Sequence, residues 1–322
     1  MNISEFKNTI SKYVLANEPF LFIVDYKLSK PFVCKLDEAE KYGLLYDVKG
    51  NSNLMQTGNE VIVDLEIQPI DQTIYSKAFA SVIDNIKNGN TYLLNLTFPS
   101  RVASNLNLKQ LFEVSKAPYK LCKEDEFVLF SPECFVQIKG DFIYSYPMKG
   151  TIDANIKNAE EKLLNNSKEL WEHNTIVDLI RNDLSMVASD VTVTKFRYVE
   201  KIKTTGNDIL QTSSEIRGKL PKCWKETFGD MIFKLLPAGS ISGAPKQKTV
   251  EIIETVELVP RGFYTGVFGV FDGENFDSAV CIRFIEKKGK ELYYKSGGGI
   301  TFMSNENEEY QELINKIYVP II

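Results

Sequence analysis

The order of strand-like and helix-like segments is the feature that most constrains the fold of this chain. Segments with the two-residue alternation of strands come in groups, at 20–36, at 41–70 and between 264 and 296, with helical segments between the groups. A strictly alternating strand–helix order would predict a parallel sheet, whereas grouped strands joined by short turns predict antiparallel meanders. The pattern therefore predicts an α+β protein.

The remaining elements follow from helical spacing, capping residues and turn residues. Helices are predicted at 3–17, 74–87, 107–117, 156–187 with a bend, 222–235, 246–256 and 305–318. Further strands are predicted at 91–98, 191–199 and 208–217, and a hairpin at 127–145 with the turn Lys139-Gly140-Asp141. Because no repeat or linker interrupts this order, we expect one large domain.

Composition excludes several classes of protein. A chain of 322 residues that is 43% hydrophobic can bury one large core, and its net charge of −5 argues against nucleic acid as the main partner. No apolar run reaches membrane-spanning length, and the charged, broken start is unlike a secretion signal. Five scattered cysteines without Cys-x-x-Cys spacing predict a reduced, cytoplasmic protein without a zinc cluster. With His173 as the only histidine, enzyme chemistry would depend on carboxylates and amines.

A loop of small residues and two prolines runs from Leu235 to Lys246, directly before the helix predicted at 246–256. Glycine lets a backbone approach a ligand closely, and a helix N-terminus attracts anions. A strand-to-helix turn without a ligand would have the same composition, so the loop alone does not decide between the two.

Two pairs of glutamates lie three residues apart on predicted helices, Glu169 with Glu172 and Glu309 with Glu312. This spacing puts both carboxylates of a pair on one helix face. Such residues near helix starts are often simply solvated. If all four converge, however, they must share a cation, and an oxygen-only ligand set favours Mg²⁺.

The predicted hairpin brings a carboxyl group and an amine together. Residues equidistant from its turn face each other, which puts Glu133 near Lys149 at the open end. The two could act as general acid and nucleophile if burial or nearby cations lower the pKa of the amine. A surface ion pair worth about 0.2–1 kcal/mol is the alternative. Gly150 and Thr151 add a flexible backbone donor and a hydroxyl, more than a plain ion pair needs.

A third group of residues suits anion recognition. Arg283 lies between apolar residues of a predicted strand, where its charge needs a partner. Arginine, the hydroxyl of Tyr264, the bare amides of a predicted glycine turn at Gly297–Gly299 and the amine of Lys316 together suit a carboxylate. Each also has a structural explanation: Arg283 could pair with an internal glutamate, and the glycines could simply turn the chain.

Eight short segments add a more specific pattern: Ser131–Glu133, Pro147–Thr151, Glu172–Leu184, Gly239–Lys246, Arg261–Gly266, Ile282–Arg283, Gly297–Ile300 and Glu309–Glu312. In this order they resemble the chorismate-utilising enzymes. That family contains component I of anthranilate synthase and of aminodeoxychorismate (para-aminobenzoate) synthase, together with isochorismate and salicylate synthases. The resemblance spans about residues 70–318.

The resemblance implies a fold of two α/β layers around a central antiparallel β-sandwich, with the active site in the cleft. The whole of 1–322 would form one domain, with a shortened N-terminal part at 1–70 and a catalytic core at 70–318. The family pattern implies Mg²⁺ on Glu172 and Glu312, supported by Glu169 and Glu309. The carboxylates of chorismate would meet the following groups: Gly150, Thr151, Tyr264, Arg283, Gly297, Gly298, Gly299 and Lys316.

Two positions select a branch of the family. Aminodeoxychorismate synthases carry lysine at the position of Lys149, where the other members usually carry alanine. Leu93 stands near the place of the water-activating lysine of isochorismate-type enzymes, and leucine is not a base. The resemblance therefore implies amination of chorismate to 4-amino-4-deoxychorismate, for para-aminobenzoate and folate synthesis. Glu133 and Mg²⁺ would help the C4 hydroxyl leave while Lys149 adds at C2, and ammonia would then expel Lys149.

The ammonia is expected from a separate glutamine amidotransferase subunit, because the chain has no room for a glutaminase domain and no cysteine in a suitable elbow. Two departures from the family are Leu210, where many relatives carry histidine, and the missing signature of an N-terminal tryptophan pocket. The alternatives are anthranilate synthase component I and a catalytically silent chorismate-binding subunit. The intact glutamates and Lys149 argue against the silent protein, which has no need to hold like charges together.

Overall fold

We analysed a computed structural model of the protein, which describes residues 1–54, 62–202 and 208–321. The helices are α1 (Ile3–Leu15), α2 (Gln72–Lys87), α3 (Leu108–Val114), α4 (Ala159–Leu164), α5 (Ser167–Ser185), α6 (Phe228–Leu235), α7 (Gly239–Ser242), α8 (Lys246–Val256) and α9 (Glu306–Asn315), with a 3-10 helix at Leu36–Tyr42. None of these is long and apolar enough to cross a membrane.

The strands of the described residues are β1 (Phe20–Val24), β2 (Phe32–Lys35), β3 (Leu44–Val48), β4 (Asn51–Ser52), β5 (Leu65–Gln68), β6 (Leu93–Ser104), β7 (Tyr119–Lys123), β8 (Phe127–Ser131), β9 (Cys134–Lys139), β10 (Phe142–Ser145), β11 (Met148–Asp153), β12 (Ser189–Ile202), β13 (Ile209–Lys219), β14 (Gly243–Ala244), β15 (Val267–Phe271), β16 (Phe276–Val280), β17 (Phe284–Lys288) and β18 (Glu291–Ile300).

The strands form two antiparallel sheets. The first has the order β11-β13-β10-β9-β16-β15-β1-β2, with β12 on β13, and the second has the order β14-β6-β18-β17-β8-β7-β3-β4, with β5 on β6. The predicted α+β class and its antiparallel meanders are therefore confirmed.

The two sheets pack face to face through apolar side chains. Ile23 and Phe268 of the first sheet share one core with Leu121 and Phe284 of the second. The outer face of the first sheet is covered by helices that include α1 and α6, and the outer face of the second by α3. This arrangement is the central sandwich between helical layers that the family resemblance implied.

The chain passes from one sheet to the other at two segments that the sequence presents as continuous strands. Residues 127–145 are divided between β8 in the second sheet and β9–β10 in the first, with Pro132 and Glu133 at the crossing. Residues 276–286 are divided between β16 and β17, and Arg283 at that crossing has φ 52°. The first arm of the hairpin predicted at 127–145 and the strand predicted at 276–286 are therefore each broken at a crossing, because apolar alternation does not reveal which sheet a residue joins.

The predicted hairpin is confirmed next to its turn. Tyr144 lies opposite Gln137 around the predicted turn at Lys139-Gly140-Asp141. After Ser145 the chain leaves β9, and β11, which carries Lys149, pairs with β13 instead. Lys149 is therefore not the cross-strand neighbour of Glu133 that the hairpin predicted.

Gly297–Gly299 also differ from the prediction, because they lie inside β18 and pair with β6 rather than forming a turn. A Cβ on Gly297 would lie 2.2 Å from the carbonyl oxygen of Leu96, so this position has no room for a side chain. Pairing of β18 with β17 ends at Lys295. Within the described chain, the edge of β18 beyond Lys295 that faces away from β6 therefore has no strand partner.

Several helix boundaries follow local chemistry. Helix α8 begins at Lys246 and ends at Val256, as predicted. The predicted bend in 156–187 is a break between α4 and α5, where the side chain of Asn166 accepts a hydrogen bond from the amide of Glu169. The helix predicted at 222–235 is shorter and begins at Phe228.

A buried ion pair ties three of these elements together. Glu257, which follows α8, accepts two hydrogen bonds from Arg261, of 2.8 and 2.6 Å, and one of 3.0 Å from the amide of Thr97 on β6. Arg261 also donates to the carbonyl oxygens of Ile241 and Asn95. The side chains of the pair are only 2% and 5% exposed, so neither charge is solvated.

We expect Glu257→Gln to lower the free energy of unfolding by about 3 kcal/mol, because it leaves the buried guanidinium of Arg261 without a countercharge. Chemical denaturation measures the change. Glu254→Gln is the matched control, since Glu254 forms an exposed pair with Lys27 and should change stability by less than about 1 kcal/mol. Equal effects of the two substitutions would contradict a structural role for the Glu257–Arg261 pair.

Candidate active site

Helices α5 and α9 present their predicted carboxylates to one cleft. Glu169 and Glu172 lie on the first two turns of α5, and Glu309 and Glu312 lie on α9. Gly298 of β18 lies beneath the second pair: a Cβ there would be 3.4 Å from Oε1 of Glu312 and 3.5 Å from Oε2 of Glu309. A larger residue at Gly298 would fill the space under these two carboxylates.

The electrostatics show that the two helices face each other. Burial raises the pKa of Glu169, and the carboxylates of Glu172 and of Glu312 on the other helix raise it further. Burial likewise raises the pKa of Glu309, with Glu312 and Glu172 adding to the effect. Repulsion across the cleft therefore makes this group of carboxylates receptive to positive charge.

Three ammonium groups supply that charge. Nζ of Lys149 lies 2.6 Å from Oε2 of Glu172, and Nζ of Lys316 lies 2.5 Å from Oε1 of Glu312. Nζ of Lys168 is 3.7 Å from Oε1 of Glu309, which also accepts a hydrogen bond from Ser304. The four predicted metal-binding glutamates and Lys149 thus come together in one cleft.

The fit of this cluster to a metal rests on its donor chemistry. In residues 1–54, 62–202 and 208–321, no three His, Cys, Asp or Glu side chains are arranged to hold a metal ion by themselves. The oxygens of Glu172 and Glu312, with Glu169 and Glu309 beside them, are nevertheless the ligands that Mg²⁺ prefers. Three of these carboxylates each face a lysine ammonium group, so this part of the cleft already accommodates positive charge beside its oxygens.

Lys149 lies inside the cleft, with Nζ 4.0 Å from where a Cβ on Gly299 would be. Burial lowers the pKa of Lys149, but Glu172, Glu312 and Glu169 outweigh burial and the pKa is raised. The condition that burial or nearby cations lower this pKa is therefore not met by the protein groups alone. In the arrangement described, Lys149 is an ammonium ion.

Glu133 is held at the crossing between the two sheets. Its Oε1 accepts a hydrogen bond from the hydroxyl of Ser240. Burial raises the pKa of Glu133, against the effects of Ser240 and of the cations Arg283, Lys316 and Lys149. Glu133 and Lys149 therefore belong to one electrostatic environment, although through the tertiary fold rather than through hairpin pairing.

Arg283 is a half-buried cation that pairs with no carboxylate of the described residues. Its Nε is buried without a hydrogen-bond partner, and its guanidinium lies 5.2 Å from the centre of the Tyr318 ring. Tyr264, 4% exposed, lies in its electrostatic neighbourhood and in that of Glu133. The internal glutamate that was the alternative partner of Arg283 is not found there, and the guanidinium is available to an anion.

Two other predicted binding residues, Gly150 and Lys316, lie beside glutamates of this cleft, and Thr151 follows Gly150 on β11. Gly150, with φ 83°, lies against α5, where a Cβ would be 3.1 Å from Oε2 of Glu169. Thr151 is exposed on β11 opposite Gln211. Nζ of Lys316 donates to the carbonyl oxygen of Gly297 at 2.9 Å, which joins the end of α9 to the glycine strand.

The loop from Leu235 to Lys246 packs against the protein itself. A Cβ on Gly239 would lie 2.9 Å from Leu179 and 3.0 Å from Oδ2 of Asp183, both on α5. The close backbone approach that its small residues predict is therefore made to α5. A small cavity of about 30 Å³ lies between this loop, α5 and β9–β10, and its lining includes Glu133, Ser240 and Asp183.

Sequence reasoning did not single out Ser240 or Asp183, because a serine or an aspartate alone carries no spacing signal. Leu93 does line the cleft, since its side chain is 3.0 Å from where a Cβ on Gly299 would be. His173 is fully buried, with Nε2 2.6 Å from the hydroxyl of Ser214. Burial, followed by Arg197 and Lys149, lowers the pKa of His173 to about 4, so this imidazole is neutral.

The sandwich and its covering helices bring carboxylates, lysine amines and the guanidinium of Arg283 together in one region of the protein. The sequence pattern of a protein family described as chorismate binding enzyme matches residues 27–321. This chain belongs to the chorismate binding enzyme family. The match begins well before residue 70, so the family sequence extends further toward the N-terminus than the eight segments indicated.

Similar proteins agree with this assignment. An uncharacterised PabA-like protein of Pasteurella multocida is 49% identical over 323 residues, covering 100% of both chains. Aminodeoxychorismate synthase component 1 of Bacillus subtilis is 31% identical over 266 residues, which are 78% of this chain and 55% of that protein. The structure of MenF, the menaquinone-specific isochorismate synthase of Escherichia coli, shares the fold with a TM-score of 0.72 at 15% identity, covering 97% of this chain and 80% of that one.

Proposed function

We propose that this chain is the aminating component of an aminodeoxychorismate synthase, which converts chorismate and ammonia to 4-amino-4-deoxychorismate. The observation that carries the proposal is the position of Lys149, whose amine lies 2.6 Å from Glu172 inside the carboxylate-lined cleft. A lysine at this point supplies a nucleophile that alanine does not. The similarity to the Bacillus subtilis component supports the same reaction.

The substrate would be held through its carboxylates. Three groups offer donors on one side of the cleft: the guanidinium of Arg283, whose Nε has no hydrogen-bond partner, the hydroxyl of Tyr264, and the edge of β18 at Gly297–Gly299 that no other described strand pairs with. The backbone of Gly150 and the hydroxyl of Thr151 offer donors from β11. Lys316 adds a positive charge between the two groups of donors.

A magnesium ion bound by Glu172 and Glu312 would supply positive charge for a substrate carboxylate and would offset the carboxylates that raise the pKa of Lys149. Residues of the chain itself then carry out the bond-making and bond-breaking steps of the reaction. The neutral amine of Lys149 adds at C2 of chorismate, both conjugated ring double bonds shift, and the C4–O bond breaks as Glu133 protonates the departing hydroxyl, which leaves as water.

The second half of the proposed reaction returns the enzyme to its starting state. Ammonia adds at C4, both ring double bonds shift back, and the bond between C2 and the nitrogen of Lys149 breaks, which releases the lysine as a neutral amine. One proton of the added ammonia returns to the carboxylate of Glu133. No oxidant or reductant is required, and the pyruvyl group is retained.

We further propose that ammonia comes from glutamine through a separate amidotransferase subunit. On this proposal the purified chain should aminate chorismate with ammonium salts and gain little from glutamine alone. Equal rates with glutamine and with ammonium would contradict the need for a second subunit.

Product identification tests the function directly. Incubation of the chain with chorismate, Mg²⁺ and ammonium should give 4-amino-4-deoxychorismate as the main product by mass spectrometry, with no release of pyruvate. Anthranilate with an equal amount of pyruvate would show the anthranilate synthase reaction instead. Tight chorismate binding without any product would indicate a silent binding subunit.

A further inference from the structure

The loop between α6 and α8 places one hydroxyl on the proposed acid. Ser240 lies in α7, a single helical turn, and its hydroxyl donates to Oε1 of Glu133, 107 positions away in the sequence. Ser242, two residues later, instead donates within the turn to the carbonyl oxygen of Ala238 at 2.9 Å. Of these two hydroxyls, only that of Ser240 bonds to a residue outside α7 and its preceding residue.

Both ends of this loop are fastened by one side chain. Nζ of Lys246 donates to the carbonyl oxygen of Leu235 at 3.0 Å, where the loop begins, and to Oδ2 of Asp183 on α5 at 2.9 Å. The lysine and the aspartate side chains are 20% and 11% exposed, so this pair is largely shielded from water. The same helix α5 carries Glu169 and Glu172 and therefore fixes the loop relative to them.

Close packing restricts movement of the backbone on either side of Ser240. Gly239 rests directly on Leu179 and Asp183 of α5, and a Cβ on Gly243 would lie 1.9 Å from the carbonyl oxygen of Leu93. Packing this close fixes the direction in which Ser240 points. The hydrogen bond to Glu133 is thus held by the fold and not by a mobile surface side chain.

We propose that Ser240 is a positioning residue for Glu133, holding Oε1 by a donated hydrogen bond so that Oε2 carries the acid proton. A protonated carboxyl group has one acceptor oxygen and one hydroxyl oxygen, and a donor bound to the first leaves the second to hold the proton. The role in the reaction rests on the proposed function, whereas the hydrogen bond and its effect on the carboxyl group do not.

The charges around Glu133 come from every element packed against it. The titratable groups are Arg283 at the sheet crossing, Lys316 after α9, Lys149 on β11, Tyr264 before β15, Cys134 on β9 and Asp183 across the cavity. Ser240 differs from all of them in making a direct hydrogen bond. The effect of removing this hydrogen bond should therefore be distinguishable from the effect of a general change in the electrostatic potential of the cleft.

The experiment compares Ser240→Ala with Ser242→Ala, a matched removal of a hydroxyl from the same turn. Ser240→Ala should lower kcat about tenfold with little change in KM. Because the Ser240 hydrogen bond lowers the pKa of Glu133, its removal should raise that pKa. The alkaline limb of the kcat profile, which reports loss of the acid proton, should move to higher pH in Ser240→Ala and stay in place in Ser242→Ala.

A second measurement needs no catalysis. Carboxyl-carbon NMR of glutamate-labelled protein follows the titration of Glu133, with Glu133→Gln to assign its signal. The midpoint should rise in Ser240→Ala and in Ser240→Cys, whose thiol is a weak donor, and return to the wild-type value in Ser240→Thr. The Cys and Thr variants keep the test valid if the alanine variant does not fold.

Unchanged Glu133 titration in Ser240→Ala, or in Ser240→Cys, would overturn the inference. A lower kcat with an unmoved alkaline limb would also overturn it, because a purely structural role lowers the rate without shifting a titration. Absence of any amination by the wild-type chain would instead refute the proposed function, while the NMR titration would still decide the role of Ser240.

Discussion

Lys149→Ala is expected to reduce ammonium-dependent amination of chorismate on the order of 1,000-fold, because it removes the proposed nucleophile. The loss should appear in kcat and not mainly in KM, since the carboxylate-binding groups around Arg283 remain. The amine lies 2.6 Å from Glu172, whereas the amines of Lys316 and Lys168 are paired with Glu312 and Glu309. Steady-state rates measured by product formation give both constants.

Detection of a covalent adduct should distinguish a nucleophilic role of Lys149 from simple charge pairing with Glu172. Enzyme incubated with chorismate but without ammonia should gain the mass of chorismate less one water, with the label on Lys149 after proteolysis. Lys195→Ala is the matched control, because Lys195 pairs with Glu215 at 3.6 Å on an exposed surface. Lys149→Ala with a wild-type rate would exclude the covalent route, although not membership of the family.

The second large effect is expected from the carboxylates of the cleft. Glu172→Gln and Glu312→Gln should each lower activity on the order of 100- to 1,000-fold at saturating Mg²⁺, since each removes one proposed ligand. Mg²⁺ at about 100 times its Kd should stabilise the wild-type protein by about 2.7 kcal/mol, and this gain should shrink in both variants. Thermal unfolding with and without the ion measures it independently of catalysis.

Glu308→Gln is the control on the same helix. Glu308 is exposed on α9 beside Glu309 and makes no contact with the cluster that defines the cleft. It should keep wild-type activity and the full stabilisation by Mg²⁺. If Mg²⁺ stabilises the Glu172 and Glu312 variants as much as the wild type, these residues are not its ligands.

Local sequence determined the elements where a single periodicity dominates. Helix α8 has the predicted ends because apolar residues recur at helical spacing after Pro245, which ends the preceding loop. The glutamate pairs lie on one face of α5 and of α9 because three-residue spacing dictates it, whatever surrounds the helix. The turn of the β9–β10 hairpin was likewise encoded by its own residues.

The structure of two segments of the candidate site could not be predicted from their neighbouring residues in the sequence. Arg283 was assigned to a strand from its apolar neighbours, yet it occupies a left-handed backbone conformation between β16 and β17. The glycines at 297–299 were assigned to a turn, although they form the strand edge beside the carboxylates. In both cases the deciding interactions come from strands remote in sequence.

The sequence by itself determined the antiparallel class and the helices that carry the glutamates. These depend on side-chain period and spacing within a few residues. Only the tertiary structure decided that Lys149 pairs with Glu172, that Glu133 is held by Ser240, and that Arg283 forms no ion pair with a carboxylate of the described residues. Such contacts join residues from different sheets and helices, and their geometry is set by how those elements pack.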